Sequence, residues 1–223
     1  MISFPQSTLF DKRIPKQKFY DNLNVTPSLK QSFIDDIEDI VWKNKLSAGT
    51  MNIAEGKTVQ ELEVLVLNLK KKECDRKILT QIDREIPYHI LFVLVYGSEA
   101  KLCIGYKEAS ANNQAAFKTA VYYETEWQRQ KDITLTLSGL NMDAVYENFV
   151  RQIAGGSLAN TAERIEAGGT LADDVTREEK RKELQKQIDA LEKKIAGEKQ
   201  FNRQVEMNEE VKRLKETLLQ GNG

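Results

Sequence analysis

The segment from Arg177 to Gln220 constrains this chain more than any other. It is dense in Glu, Lys, Arg, Gln and Leu and contains no proline. Leu184, Ile188, Leu191 and Ile195 are spaced four, three, four, and Met207, Val211, Leu214 and Leu218 repeat that spacing. This is the seam of a coiled coil, so these eight residues are the candidate partner interface. A narrow apolar stripe on a long polar helix cannot bury itself alone. The two blocks are out of phase, however. Heptads extended from Ile195 reach Glu198, Asn202 and Val205, whereas the second block needs Met207. Ala196-Gly197 stands just before the break. Two outcomes fit: a continuous helix whose seam shifts, which requires another chain, or an antiparallel hairpin that satisfies its own stripe. Asn202 and Asn208 lie near the break, where buried polar residues set register.

The remaining length suits one medium domain within a chain of 223 residues. Lys and Arg total 33 against 34 Asp and Glu, so no global positive field draws nucleic acid to the chain. Cys74 and Cys103 form no CxxC pair and His89 is the one histidine, so a zinc site of the usual kind is not expected. No metal and no cofactor is expected, and two free thiols fit a reducing compartment. The N-terminus lacks an apolar signal region, and the longest apolar run, Ile90 to Tyr96, falls far short of the ~20 residues that span a bilayer. These features predict a cytoplasmic protein with no membrane partner.

Along the body, Thr26-Pro27 reads as a helix cap followed by proline at the first helical position. The apolar positions Leu29, Phe33, Ile34, Ile37, Ile40 and Val41 then predict a helix from about Pro27 to Lys45. Val59 to Leu69 reads as a central strand, Cys74 to Arg84 as a helix, and Ile90 to Tyr96 as a second central strand. Lys101 to Lys107 alternates after a Gly97-Ser98 turn and predicts a hairpin. Ala120 to Trp127 and Ile133 to Leu140 read as further strands, the last implying a sheet with one wet face. Asn141 can cap a helix whose stripe is Met142, Val145, Tyr146, Phe149 and Ile153. The expected architecture is α+β: a mixed, largely antiparallel sheet with flanking helices over residues 1–155, a small-residue linker at 156–175 with a short helix around Thr161 to Glu166, and a coiled-coil helix or hairpin at 176–220.

Chemistry is sparsely marked. There is no phosphate-binding loop. His89 could act as a base at a strand edge, but no nucleophile accompanies it. Glu55-Gly56-Lys57 matches the short Glu-x-Lys element of metal-dependent restriction-type nucleases, with Glu61, Glu63 and Lys70 around the next strand. That chemistry also expects an aspartate one strand earlier, where a helix is predicted, and an order of helix, three strands, helix, strand. Two basic stretches, Lys12, Arg13, Lys16 and Lys18, then Lys70, Lys71, Lys72, Arg76 and Lys77, could neutralise phosphates. Tyr122, Tyr123 and Trp127 could stack on bases.

The strings WKNKLSAGTMNI, VQELEVLVLNL, IDREIPYHILFVLVY, YYETEW and EKQFNRQVEMNEEVKRLKETL resemble an uncharacterised prokaryotic family of about this length. The resemblance implies a setting beside DNA methyltransferases and helicase-type restriction subunits in defence islands, and no catalytic residues. The expected function is a non-enzymatic accessory protein of a restriction-modification or anti-phage system. Its tail would bind a second copy or a helicase- or methyltransferase-type protein, and its body would bind protein or DNA. The alternatives are a divergent metal-dependent nuclease and a sequence-independent single-strand nucleic-acid binder.

Overall fold

The computed structural model describes residues 2–21, 25–110, 113–158 and 169–220, with the side chains of 108–118 and 220 set aside. The chain divides into two compact units, Met1–Gly155 and Gly156–Gly223.

In the first unit a mixed sheet is the organising element. Its strands are β1 (Leu9–Ile14), β2 (Ile37–Ser47), β3 (Glu61–Leu69), β4 (His89–Tyr96), β5 (Glu99–Ser110) and β6 (Asn113–Glu124), and they lie side by side in chain order. A two-residue β7 (Gln128–Arg129) also pairs with β5. Among the described strands only β3 and β4 run parallel, which requires a crossover, and the helix α3 (Arg76–Glu85) supplies it. The fold class is the expected mixed, mostly antiparallel α+β arrangement with helices.

The helix predicted over Pro27 to Lys45 is instead two elements. Helix α1 (Pro27–Asp36) starts at the expected cap, where Thr26 Oγ1 accepts from Leu29 N at 3.3 Å. Residues 37 to 47 then form β2, and one turn of helix, α2 (Ala48–Met51), follows it. The physical reason for the misreading is a pair of bulges, one between Ile37 and Asp39 and one between Trp42 and Asn44. An extra residue in the strand puts Ile37 and Ile40, three apart, on one face, which imitates helical spacing. Both are fully buried opposite Leu69 and Leu67. Strand β1, unpredicted, carries its own bulge: Asp11 has φ 49°, and Leu9 and Lys12 oppose Asn44 and Trp42.

Helices lie on both faces of the sheet, which overturns the expectation of one wet face. On one face, Phe33 of α1 and Ile78, Leu79 and Ile82 of α3 join Leu65, Leu67, Phe92 and Leu94 in one core. On the other, α4 (Met142–Ala154) buries Met142, Val145, Tyr146, Phe149 and Ile153, the predicted stripe, and Asn141 caps it through Ala144 N at 2.9 Å. Beyond α4 that face opens into an apolar pocket lined by Phe4, Val64, Val66, Val93, Val95 and Ile133.

The segment Ile133 to Leu140 is not a strand. Its alternation of covered and exposed residues holds, but its backbone pairs with a side chain. Gln152 of α4 accepts from Thr136 N and donates to Thr136 O, each at 2.8 Å. The amide group does for this residue what a neighbouring strand would do.

In the second unit, helix α5 (Leu171–Gly197) begins at Thr170, whose side chain forms a capping box with Asp173. Residues 171–175, expected in the linker, are therefore helical. The short helix expected around Thr161 to Glu166 lies outside the described residues. Helix α5 stops at Gly197, and α6 (Phe201–Gln220) follows after three residues. Glu198 Oε1 accepts from Lys199 N and Gln200 N at 2.8 and 2.9 Å, placing a carboxylate at the start of α6. The two helices pack together, and Lys215 Nζ meets Glu192 Oε1 at 2.7 Å across them. The phase break is a turn, and the tail is a hairpin. Among the described helices, none is long and apolar enough to cross a membrane.

Candidate functional site

Because 37 to 47 is a strand, it delivers side chains to the start of β3. Lys45 lies opposite Glu63 in the ladder, Ser47 opposite Glu61 and Trp42 opposite Leu65. Glu61 and Glu63, two apart, share a face. Trp42 Nε1 donates to Glu63 Oε2 at 2.6 Å, and Lys45 Nζ lies 2.9 Å from Glu61 Oε2. Glu63 is fully buried, and among the described residues its Oε1 has no hydrogen-bond partner. The Glu61 carboxylate lies within hydrogen-bonding reach of Glu63. Burial, reinforced by the charge on Glu61 and opposed by the Trp42 N–H and by Lys45, pushes the Glu63 carboxyl up to about 7. Near neutral pH Glu63 is therefore only partly ionised.

Glu55 and Lys57, the Glu-x-Lys string, do not join this cluster. They sit in the loop before β3, which wraps another carboxylate. Asp143 in the first turn of α4 accepts from Lys57 N (2.6 Å), Thr58 N (3.1 Å), Val59 N (2.8 Å) and Thr58 Oγ1 (2.8 Å). Gly56 permits the wrap, since a Cβ there would lie 2.4 Å from Val59 O and 2.7 Å from Asp143 Oδ1. Burial works against the charge on Asp143, yet these donors hold its carboxyl below the ordinary value.

A second polar cluster lies where α3 meets β5 and β6. Lys107 Nζ is 2.8 Å from Asp83 Oδ1 and also donates to Tyr88 O. Thr119 Oγ1 (2.5 Å) and Tyr122 Oη (2.8 Å) both donate to Asp83 Oδ2. Tyr146 donates to Gly105 O at 2.7 Å and accepts from Lys107 N at 2.9 Å. Burial lowers the Lys107 pKa while Asp83 raises it. His89 packs edge-on to Tyr146, centroids 4.3 Å apart, and burial, then the charge on Lys107, pushes it down to about 3. A histidine held neutral in this way packs as a core residue.

The candidate phosphate-binding cations mostly have local work. Lys16 reaches Ile37 O at 2.7 Å and Phe33 O at 3.4 Å, and Lys70 reaches Ile34 O at 2.7 Å, so both satisfy the C-terminal carbonyls of α1. Arg13 pairs with Asp39 at 3.7 Å, Lys71 with Asp36 at 2.8 Å, Lys72 with Glu99 at 2.7 Å and Arg76 with Glu124 at 2.6 Å. Lys12 sits over the Phe10 ring at 4.4 Å, while Lys18 and Lys77 are exposed. The stacking candidates are engaged too: Arg76 covers Tyr122 at 5.2 Å, Lys72 covers Trp127 at 5.7 Å, and Tyr123 is buried.

In the tail, Ile188 and Val211 are buried, and Leu184, Leu191, Ile195, Met207, Leu214 and Leu218 are half-buried. The eight seam residues therefore lie along the covered side of the hairpin. Phe201 and Val205, one turn apart on α6, stand 75 % and 40 % exposed.

The family model for a domain of unknown function, DUF4391, matches residues 2–218, body and tail together. The chain belongs to the DUF4391 family. No curated protein and no solved structure matches it. DUF4391 membership carries no assigned chemistry, so the residues must speak for the site. Of these, the sequence showed Glu61 and Glu63 and the eight tail residues. It missed Lys45 and Trp42, whose signal was the β-branched and aromatic run Ile40-Val41-Trp42 inside a supposed helix.

Proposed function

We propose that this DUF4391 protein is an accessory protein that works by assembly through its helical hairpin, in a restriction-modification or anti-phage setting. The setting rests on the sequence resemblance alone. The observation that carries the assembly is the hairpin surface: six of eight seam side chains stay half-buried after the helices close, and Phe201 and Val205 stand exposed beside them. A stripe flanked by both Glu and Lys suits a second copy of itself, two hairpins making a four-helix bundle. Light scattering on the full chain tests this. A dimer that becomes a monomer on Leu191→Asp supports it; a wild-type monomer removes the self-assembly and leaves a helicase- or methyltransferase-type partner to be tried.

A second reading, a divergent metal-dependent nuclease, is favoured by one observation. Strands β2 and β3 bring two carboxylates and a lysine together, Glu61, Glu63 and Lys45, and strand, helix and strand follow as β3, α3 and β4, although α1 separates β1 from β2. Two acids and a lysine suit metal-assisted attack on a phosphodiester. Plasmid cleavage with Mg²⁺ or Mn²⁺, lost in Glu61→Gln, is the expected result under this reading; no cleavage by the wild type eliminates it.

A further inference from the structure

We propose that Glu61 and Glu63 hold one divalent, oxygen-preferring cation of the Mg²⁺ or Mn²⁺ class, with Lys45 beside it. The proposal deepens the nuclease reading, but it rests on that reading only for the use made of the cation. Three observations carry it. Glu63 is fully buried, yet its Oε1 has no hydrogen-bond partner among the described residues. Glu61, two residues away on the same face of β3, adds a second carboxylate whose Oε2 is likewise buried, and a cation between two such acceptors would satisfy both. The cluster also has a route to solvent, since the Glu61 and Lys45 side chains are 21 % and 36 % accessible.

The donor chemistry selects the ion. Oxygen donors without sulfur or imidazole suit a hard cation. Among the described residues no group of three or more His, Cys, Asp or Glu forms a metal cage. The site therefore offers two protein carboxylates and leaves water to complete the shell, an arrangement Mg²⁺ commonly adopts. Loading changes the local charge. Two carboxylates facing a divalent ion and one ammonium leave a net positive cluster, so an anionic ligand such as a phosphodiester is drawn to the loaded site.

The test is Mn²⁺ uptake by the full-length, chelator-stripped chain, read by electron paramagnetic resonance and tryptophan emission. The expected result is one Mn²⁺ per chain and an emission change, because the Trp42 indole is bonded to Glu63. Uptake should weaken by up to about tenfold per unit as pH falls, since protons compete with the ion for its carboxylate ligands. Glu61→Gln and Glu63→Gln should abolish uptake with the circular dichroism unchanged. Lys45→Met keeps both carboxylates and should tighten binding. No uptake by the wild type, or unchanged uptake in both glutamine variants, overturns the site. Uptake without DNA cleavage keeps the site and removes the nuclease reading.

Discussion

Glu63 and His89 lie near the starts of neighbouring strands and pull stability in opposite directions. A carboxyl raised to about 7 binds its proton more tightly folded than unfolded. Stability from Glu63 is therefore lost as pH rises through about 4.5 to 7, with a slope of up to about 1.4 kcal/mol per pH unit. An imidazole lowered to about 3 binds its proton more weakly when folded, so stability is lost as pH falls below about 6.5. In chelator, Glu63→Gln should gain on the wild type between about pH 5 and pH 7 in urea unfolding and level off above; parallel curves would mean that Glu63 does not titrate in that range. Asp143 supports the loop before β3 by four hydrogen bonds to three residues. Asp143→Ala leaves those N–H groups without their acceptor and should cost about 2 kcal/mol; a loss under about 0.5 kcal/mol in the same assay would count against that role.

At the scale of elements, local chemistry was the readable part. Thr26 and Asn141 cap their helices as their side chains dictate, and the α4 stripe is buried at every predicted position. Non-local pairing was not readable. The bulges of β2 gave it helical spacing, and nothing short of the ladder reveals that Lys45 faces Glu63. Ile133 to Leu140 carries a true strand alternation, but its partner is the Gln152 amide rather than a strand. Half of the candidate site, Glu61 and Glu63, was visible because it lies on one strand; the other half arrives across the sheet. The hairpin makes its own demand. Ile188 is the most deeply buried seam residue, and Ile188→Asp would put a charge into the closed side of α5 and α6. Far-UV circular dichroism should show loss of tail helix while the body keeps its own transition. Retained helicity would show that the seam does not hold the hairpin together.

At the scale of the whole molecule, the two compact units predict separable folding. A chain ending at Gly155 contains the complete sheet and the helices on both its faces, and should unfold cooperatively by calorimetry. A truncated chain without a transition would make the tail part of the body's core. The bulge at Asp11 bears on how such bodies meet. A flat outer strand is an invitation to a neighbour's backbone, whereas β1 has one residue in the left-handed region, a broken register and the charges of Lys12 and Arg13 along it. Sheets of two bodies cannot be spliced through that edge. Growth into fibres by head-to-tail stacking of identical units needs two open edges per unit, and among the described strands β1 is blunted and leaves at most β6, so this sheet is suited to end a row rather than extend it.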